Sequence, residues 1–130
     1  MRHAIDQAGL APWEAKGIAF PRGACGHASG LLAYRLHTLF GIAPDLVCQD
    51  AEIDIGGWLG GHAWLEWGGL TIDISGDQFG WDKVIVTRFP IFHGRGTDQN
   101  RGPALADRTW WVLECRTLWN AIMPFLDHCT

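Results

Sequence analysis

A cysteine, a histidine and an aspartate occur in this order at three places where the chain can position them for chemistry. Cys25 ends the run Phe-Pro-Arg-Gly-Ala-Cys, His62 begins His-Ala-Trp-Leu-Glu-Trp, and Asp73 lies in Leu-Thr-Ile-Asp-Ile-Ser. A thiol needs a base to become a nucleophilic thiolate, and a histidine base needs a carboxylate that orients its ring and stabilises its charge. The three residues are therefore a candidate nucleophilic site.

The histidine and the aspartate are predicted to lie on the two strands of one hairpin. The Gly68–Gly69 pair supplies the positive φ angles of a two-residue turn. Pairing Trp67 with Leu70 makes His62 and Asp73 diagonal neighbours, about 7–8 Å apart at the backbone. One face is then polar, with His62, Trp64, Glu66, Thr71, Asp73 and Ser75, and the other is apolar, with Ala63, Leu65, Trp67, Leu70, Ile72 and Ile74.

A second aspartate, Asp77, has the same parity as Asp73 and is also one diagonal step from His62 in this register. It follows Gly76, where the strand is predicted to end and the diagonal relation to lapse. Asp73 is therefore the predicted partner of His62.

Cys25 is predicted to lie at the start of a helix over residues 25 to 40. Gly41 follows as a stop signal, and the apolar residues that recur at helical spacing are Ala28, Leu31, Leu32, Leu36, Leu39 and Phe40. The helix dipole and the free N–H groups of the first turn favour an anion, so they lower the pKa of a thiol there. The same N–H groups can serve a developing oxyanion.

This order of motifs resembles the papain-like superfamily in its transglutaminase-like branch, which includes transglutaminases, arylamine acetyltransferases, and bacterial cysteine peptidases and deamidases. The resemblance covers roughly residues 20 to 90 and is most specific in His-Ala-Trp-Leu-Glu and the aspartate that follows it. It implies an α+β fold in which a catalytic helix packs on an antiparallel sheet, with a C-terminal helix. It also implies Cys25 as nucleophile, His62 as base and acid, and Asp73 as orienting group.

The sequence departs from the family pattern in two places. The segment Gly17-Ile18-Ala19-Phe20 lacks the glutamine that papain-type peptidases place upstream of the cysteine, so the oxyanion partner is unassigned. Many transglutaminases have a proline after the aspartate, whereas this chain continues into Ser-Gly-Asp-Gln-Phe, which leaves the roles of Asp77 and Gln78 open.

Aromatic and polar residues near the three motifs are the candidate substrate contacts. Trp58 and Trp81 lie in glycine-rich segments, and Trp64 shares the polar face with His62, where its indole can shield the imidazole from water. Gln78 and His93 complete the set, and a structural role is an equal alternative for His93.

A zinc site is the main alternative use of these residues. Structural zinc sites bring paired ligands at short spacing, and the sequence offers one close pair, Cys25 and His27, with Cys48, His62 and Asp73 as further ligand types. Because the hairpin explains the histidine and the aspartate without an ion, we expect neither a metal nor another cofactor.

Composition indicates one domain over residues 1–130. The chain is 48% hydrophobic and 18% charged with a net charge of −4, which argues against nucleic acid as a partner. It has no apolar stretch of about 20 residues and no signal-peptide pattern, so we expect no membrane span and a cytoplasmic location, with signal-free export as an effector and the oligomeric state left open. Four cysteines without regular spacing indicate reduced thiols, with Cys48 and Cys115 in the core and Cys129 exposed.

The rest of the chain predicts elements around this site. Residues 2–16 are expected to form one or two short helices, 46–49 and 83–87 strands, and 51–61 and 94–103 loops. A C-terminal helix capped by Asp107 and disturbed by Pro124 is predicted to bury one stripe, formed by Trp111, Cys115, Leu118, Trp119, Ile122 and Phe125.

The function expected from these features is thiol-dependent cleavage of an amide in a protein or peptide, by a peptidase or a glutamine deamidase. One alternative is a transferase that passes the acyl group to an amine. Another is an inactive relative that uses the same cleft as a binding module.

Overall fold

The computed structural model describes residues 1–55, 58–90, 93 and 99–126, with side chains described outside 50–60. The fold is α+β, as predicted, and its antiparallel five-stranded sheet has the order β4-β3-β2-β1-β5. The strands are β1 Asp45–Ile55, β2 Trp58–Trp67, β3 Leu70–Asp73, β4 Ile85–Thr87 and β5 Gln99–Pro103. The helices are α1 Arg2–Ala8, α2 Ala11–Glu14, α3 Cys25–Phe40, α4 Arg108–Trp110 and α5 Arg116–Ile122, with a π-helical turn at Trp111–Cys115 and 3-10 turns at Gly76–Phe79 and Met123–Phe125.

The β2–β3 hairpin has the predicted register. Its pairs are Leu65 with Ile72, Glu66 with Thr71 and Trp67 with Leu70. Gly68 and Gly69 have φ angles of 57° and 80°, which side-chain-bearing residues rarely adopt. The glycine pair therefore puts the polar residues of β2 and those of β3 on the same face of the sheet.

Helix α3 begins at Cys25 and ends before Gly41, whose φ of 67° is the left-handed conformation of a C-cap glycine. The helix packs on β2 and buries Ala28, Leu31 and Leu32. Its last turn projects beyond the core, so Leu39 and Phe40 are exposed although they belong to the predicted stripe.

The two ends of the chain complete the core. Helices α1 and α2 occupy the predicted N-terminal segment, and both pack against α5. At the C-terminal helix the Asp107 carboxylate accepts the Trp110 N–H at 2.9 Å, which confirms the predicted cap. Trp111, Cys115, Leu118 and Ile122 are buried as predicted. Trp119 is partly buried, and Phe125 is exposed because α5 ends at Ile122 and the turn containing Pro124 follows.

Several sequence predictions are corrected by the sheet. Most of the predicted loop at 51–61 belongs to β1 and β2, and residues 99–103 of the other predicted loop form β5; residues 94–98 lie outside the described part. In both cases pairing with a neighbouring strand satisfies the backbone hydrogen-bonding groups: the end of β1 pairs with β2, and β5 pairs with β1. The strand predicted at 83–87 is limited to β4.

Two residues expected in the core are not buried there. Trp67 is 45% exposed because it forms the last pair before the turn, at the outer end of the hairpin. Cys48, on β1, is only half-buried. Among the described residues, no helix combines the length and the apolar character needed to cross a membrane.

Candidate active site

The start of α3 brings Cys25 to the middle of β2. The Ser29 hydroxyl, one turn into the helix, donates to the Ala63 carbonyl at 3.5 Å and ties the helix to the strand beside His62. The Cys25 thiol lies beside the His62 imidazole, and His62, the Gln78 amide and the Ala63 N–H each lower the pKa of this thiol. The structure therefore places the predicted thiol and the predicted base in contact.

Asp73 lies on the other side of the His62 ring. His62 Nε2 is 2.6 Å from Asp73 Oδ2, and both side chains are fully buried. The other carboxylate oxygen, Oδ1, accepts the Ser75 N–H at 2.8 Å and the Ser75 hydroxyl at 3.3 Å. The predicted contact between His62 and Asp73 is present, and the chain Cys25–His62–Asp73 is continuous.

A second histidine binds the same oxygen. His93 Nε2 is 2.8 Å from Asp73 Oδ2, and His93 is buried. An ionised carboxylate only accepts hydrogen bonds, so both histidines carry their proton on Nε2. The Nδ1 atom of His62 therefore faces the thiol without a proton of its own while the ring is neutral, as a general base requires.

Electrostatic effects at the three residues reinforce one another. Burial favours the neutral carboxyl, but hydrogen bonds from His62, His93 and the Ser75 N–H hold the pKa of Asp73 well below its ordinary value. Burial also opposes a charged imidazole, yet the hydrogen bonds and charges of Asp73 and Cys25 raise the pKa of His62 to about 9.

The thiol responds in the opposite direction to the base. Burial raises the pKa of Cys25, but the hydrogen bond and charge of His62, with smaller contributions from Gln78 and the Ala63 N–H, bring it below the ordinary value. The site thus favours a thiolate beside an imidazolium. Cys115 is the contrast, because burial without such partners raises the pKa of its thiol to about 12.

An aromatic cage surrounds the two histidines. It is formed by Trp64, Phe79 and Trp81, whose ring centroids lie 5.6, 4.7 and 5.6 Å from that of His62. Trp64 is only 1% exposed, which suits the predicted shielding role rather than contact with substrate. Trp81 is half-buried, and the Trp58 side chain lies outside the described residues.

Gln78, whose role the sequence left open, contacts His62. Its side chain is buried, its Oε1 accepts the Gly23 N–H at 3.3 Å, and its Nε2 lies 2.8 Å from His62 Nδ1. The residue belongs to the 3-10 turn at Gly76–Phe79, which comes directly after the strand that carries Asp73. Its position among the reacting groups could not be read from the local pattern.

Asp77, the alternative partner of His62, has another neighbour. Arg2 of α1 donates to both Asp77 oxygens at 2.7 Å and to the Ile74 carbonyl at 2.9 Å, and its guanidinium lies 4.6 Å from the centre of the Phe20 ring. Arg2 therefore connects the N-terminal helix to the turn that carries Gln78 and to the segment before Cys25.

One described group of side chains has metal-ligating atoms close together: those of His62, Asp73 and His93 lie within 4.8 Å of one another. Ligands of tetrahedral zinc, about 2.0–2.1 Å from the ion, stand roughly 3.3 Å apart. The separations of 2.6 and 2.8 Å are those of hydrogen bonds, so an ion would have to replace two protons and spread the ligands. His27, the other sequence candidate, lies instead 3.5 Å from Glu114.

Comparison of the chain with protein-family models, with curated proteins and with solved structures finds no match. The function must therefore be argued from the site.

Proposed function

We propose that this protein is a cysteine-dependent amide hydrolase of papain-like or transglutaminase-like type, a peptidase or a glutamine deamidase that acts on a protein or peptide. The observation that carries the proposal is the buried hydrogen bond between His62 and Asp73, with the Cys25 thiol beside the same imidazole. A histidine that is held in one tautomer by a buried carboxylate and lies beside a thiol at a helix start is suited to nucleophilic catalysis.

In the reactive thiolate–imidazolium pair the thiol proton is already on His62 Nδ1, and acylation begins when the Cys25 sulfur attacks the amide carbonyl carbon. The carbonyl π electrons move to oxygen, which gives a tetrahedral oxyanion. The carbon–nitrogen bond then breaks, His62 returns the proton to the leaving amine or ammonia, and a thioester remains on Cys25.

Water completes the cycle. His62 removes a proton from the water, and the oxygen attacks the thioester carbonyl. The carbon–sulfur bond then breaks, which releases the acid and leaves Cys25 as the thiolate beside the protonated His62. Transfer would need a bound and oriented amine that outcompetes about 55 M water at the thioester, whereas hydrolysis needs no second substrate site. Hydrolysis is therefore favoured over the alternative transfer to an amine.

The test is mass spectrometry of a glutamine-rich protein such as β-casein incubated with the wild-type chain and putrescine, with Cys25→Ala as control. A deamidation mass shift or a chain cut that needs Cys25 supports hydrolysis. Dominant putrescine incorporation would instead identify a transferase.

Thiol labelling separates an enzyme from the inactive binding module. Iodoacetamide should modify Cys25 far faster than Cys48 or Cys115 in the native protein, because His62 lies beside the Cys25 thiol and lowers its pKa, whereas burial raises the pKa of Cys115. Equal slow labelling of all three would contradict the proposal.

A further inference from the structure

We propose that the Gln78 side-chain amide donates the hydrogen bond that stabilises the oxyanion on the Cys25-bound carbon, and that the proton on His62 Nδ1 in the thiolate–imidazolium pair directs the amide to this task. This inference rests on the proposed function and adds a catalytic residue to it. It starts from the orientation of one buried amide.

The two ends of the Gln78 amide can be told apart by their neighbours. The Gly23 N–H is a donor and lies 3.3 Å from Oε1, so the oxygen must face Gly23. The NH2 group consequently faces the His62–Cys25 pair, 2.8 Å from His62 Nδ1 and on the side of the thiol, whose pKa Gln78 helps to lower. Because the amide is buried, few water molecules can compete for its two hydrogens.

The contact with His62 depends on the protonation state of the ring. While Nδ1 is bare, it can accept one hydrogen from Gln78 Nε2. When Nδ1 takes the proton of Cys25, two donors face each other at 2.8 Å and that hydrogen bond is lost. The Gln78 hydrogen must then find its acceptor on the Cys25 side, where the negative charge has just formed.

The acceptor on that side changes as the reaction proceeds. It is the thiolate at first and then the carbonyl oxygen, which becomes negative on the carbon attached to sulfur. In the thiolate–imidazolium pair the amide hydrogen is therefore directed at the anion, and it acts most strongly where the charge becomes concentrated on oxygen in the transition state. The N–H groups at the start of α3 supply further donors.

The turn that holds Gln78 is fixed from several sides. The Gln78 N–H donates to the Ser75 carbonyl at 3.2 Å, and the neighbouring Asp77 is held by Arg2. A Cβ on Gly76 would stand 2.5 Å from the Asp82 carbonyl oxygen, so the tight turn requires glycine there. Such a rigid mounting is what an oxyanion donor needs.

Two probes of Cys25 separate this role from simple stabilisation of the thiolate. p-Nitrophenyl acetate acylates the thiol through a tetrahedral oxyanion, whereas iodoacetamide alkylates it by direct displacement with no such oxygen. Both rates are compared below about pH 9, on the plateau where the thiolate and the imidazolium coexist, in wild type, Gln78→Met and the control Gln99→Met, which removes an amide whose hydrogen-bond partner is Gln49. Circular dichroism and a thermal melt check the fold.

The expected result is a loss of about 10²–10³-fold in the acylation plateau of Gln78→Met, with little change in the alkylation plateau and neither plateau changed in Gln99→Met. If acylation and alkylation fall equally, or if neither falls, Gln78 is not the oxyanion donor. If Gln78→Met does not fold, Gln78→Asn, which withdraws the amide by one methylene, should show the same selective loss.

Failure of the proposed function gives a different pattern. If the wild-type thiol of Cys25 reacts with neither probe faster than Cys48 does, the nucleophile itself is wrong and this inference falls with it. A reactive Cys25 with an unselective response at Gln78 overturns the inference alone.

Discussion

Asp73 and Asp77 are close in sequence, yet their carboxylates serve neighbours of opposite kinds. Asp73 accepts hydrogen bonds from His62 and His93, and imidazole is the side chain that most often transfers protons in catalysis. Asp77 binds the guanidinium of Arg2, which keeps its charge at any working pH. The difference indicates that Asp73 serves the reaction, whereas Asp77 stabilises the fold.

The turn between the two aspartates causes this difference. Strand β3 ends at Asp73, and the 3-10 turn at Gly76–Phe79 redirects the chain, so Asp77 points to α1 instead of β2. The same turn carries Gln78 back to Cys25. Within this turn Asp77 therefore has a structural contact, and the next residue, Gln78, lies at the candidate site.

The largest expected effect separates the two aspartates directly. Asp73→Asn should lower turnover by about 10³–10⁴-fold, because the amide no longer fixes the Nε2–H tautomer or stabilises the imidazolium. Asp77→Asn should lose far less activity per folded molecule, since it touches neither His62 nor Cys25. The measurement is p-nitrophenyl acetate acylation, normalised to the folded fraction from circular dichroism. A larger loss in Asp77→Asn at equal stability would reverse the assignment.

The next effect is on stability. Arg2→Met should lower the free energy of unfolding by about 3–5 kcal/mol, because it leaves the partly buried Asp77 and the Ile74 carbonyl without their donor. Urea unfolding measures the loss. The double variant Arg2→Met with Asp77→Leu should recover part of it, since the uncompensated charge is gone. No recovery would mean that the ion pair is not the reason for the loss.

The pH dependence of the two reactions tests the roles of Cys25 and His62, the pair that Asp73 orients, without any substitution. The lowered pKa of Cys25 makes alkylation by iodoacetamide reach half its maximum below the ordinary thiol value of about 8.5. Amide turnover should also fall as pH rises through about 9, where His62 loses the proton that the leaving amine needs. Alkylation should not fall there, because it needs only the thiolate. Parallel decline of both rates above that pH would contradict the assigned role of His62.

The smallest effect concerns the second histidine. His93→Leu removes one of the two donors on Asp73 Oδ2, while His62 and the Ser75 N–H keep the carboxylate ionised. We expect a several-fold loss of turnover and a small upward shift of the pH at which Cys25 alkylation is half-maximal. A loss as large as that of Asp73→Asn would place His93 in the reaction itself.

Local pattern was sufficient for the framework of the site. The Gly68–Gly69 turn predicts the hairpin register because its backbone conformation leaves one pairing, and the register alone makes His62 and Asp73 neighbours. The apolar period and Gly41 predict the helix over Cys25–Phe40. These features depend on residues within a few positions of one another.

Two segments that were predicted to be loops form strands instead. Residues 51–55 extend β1 and pair with β2, and residues 99–103 pair with the other edge of β1. Residues 51–55 do alternate apolar and polar residues, a strand pattern that the glycines after them obscured. Residues 99–103 have no such pattern, and their pairing with β1 makes them a strand. Pairing with a distant strand is invisible to a pattern read along the chain.

The sequence by itself determined which residues could form a Cys-His-Asp chain and which local elements carry them. Only the tertiary structure decided that Asp77 binds Arg2, that His93 shares the Asp73 oxygen, and that the Gln78 amide reaches Cys25. Each of these contacts joins residues from separate elements, and the direction of a buried side chain depends on the packing of all its neighbours. Spacing along a strand or helix fixes a face, but it does not fix the partner on the other side.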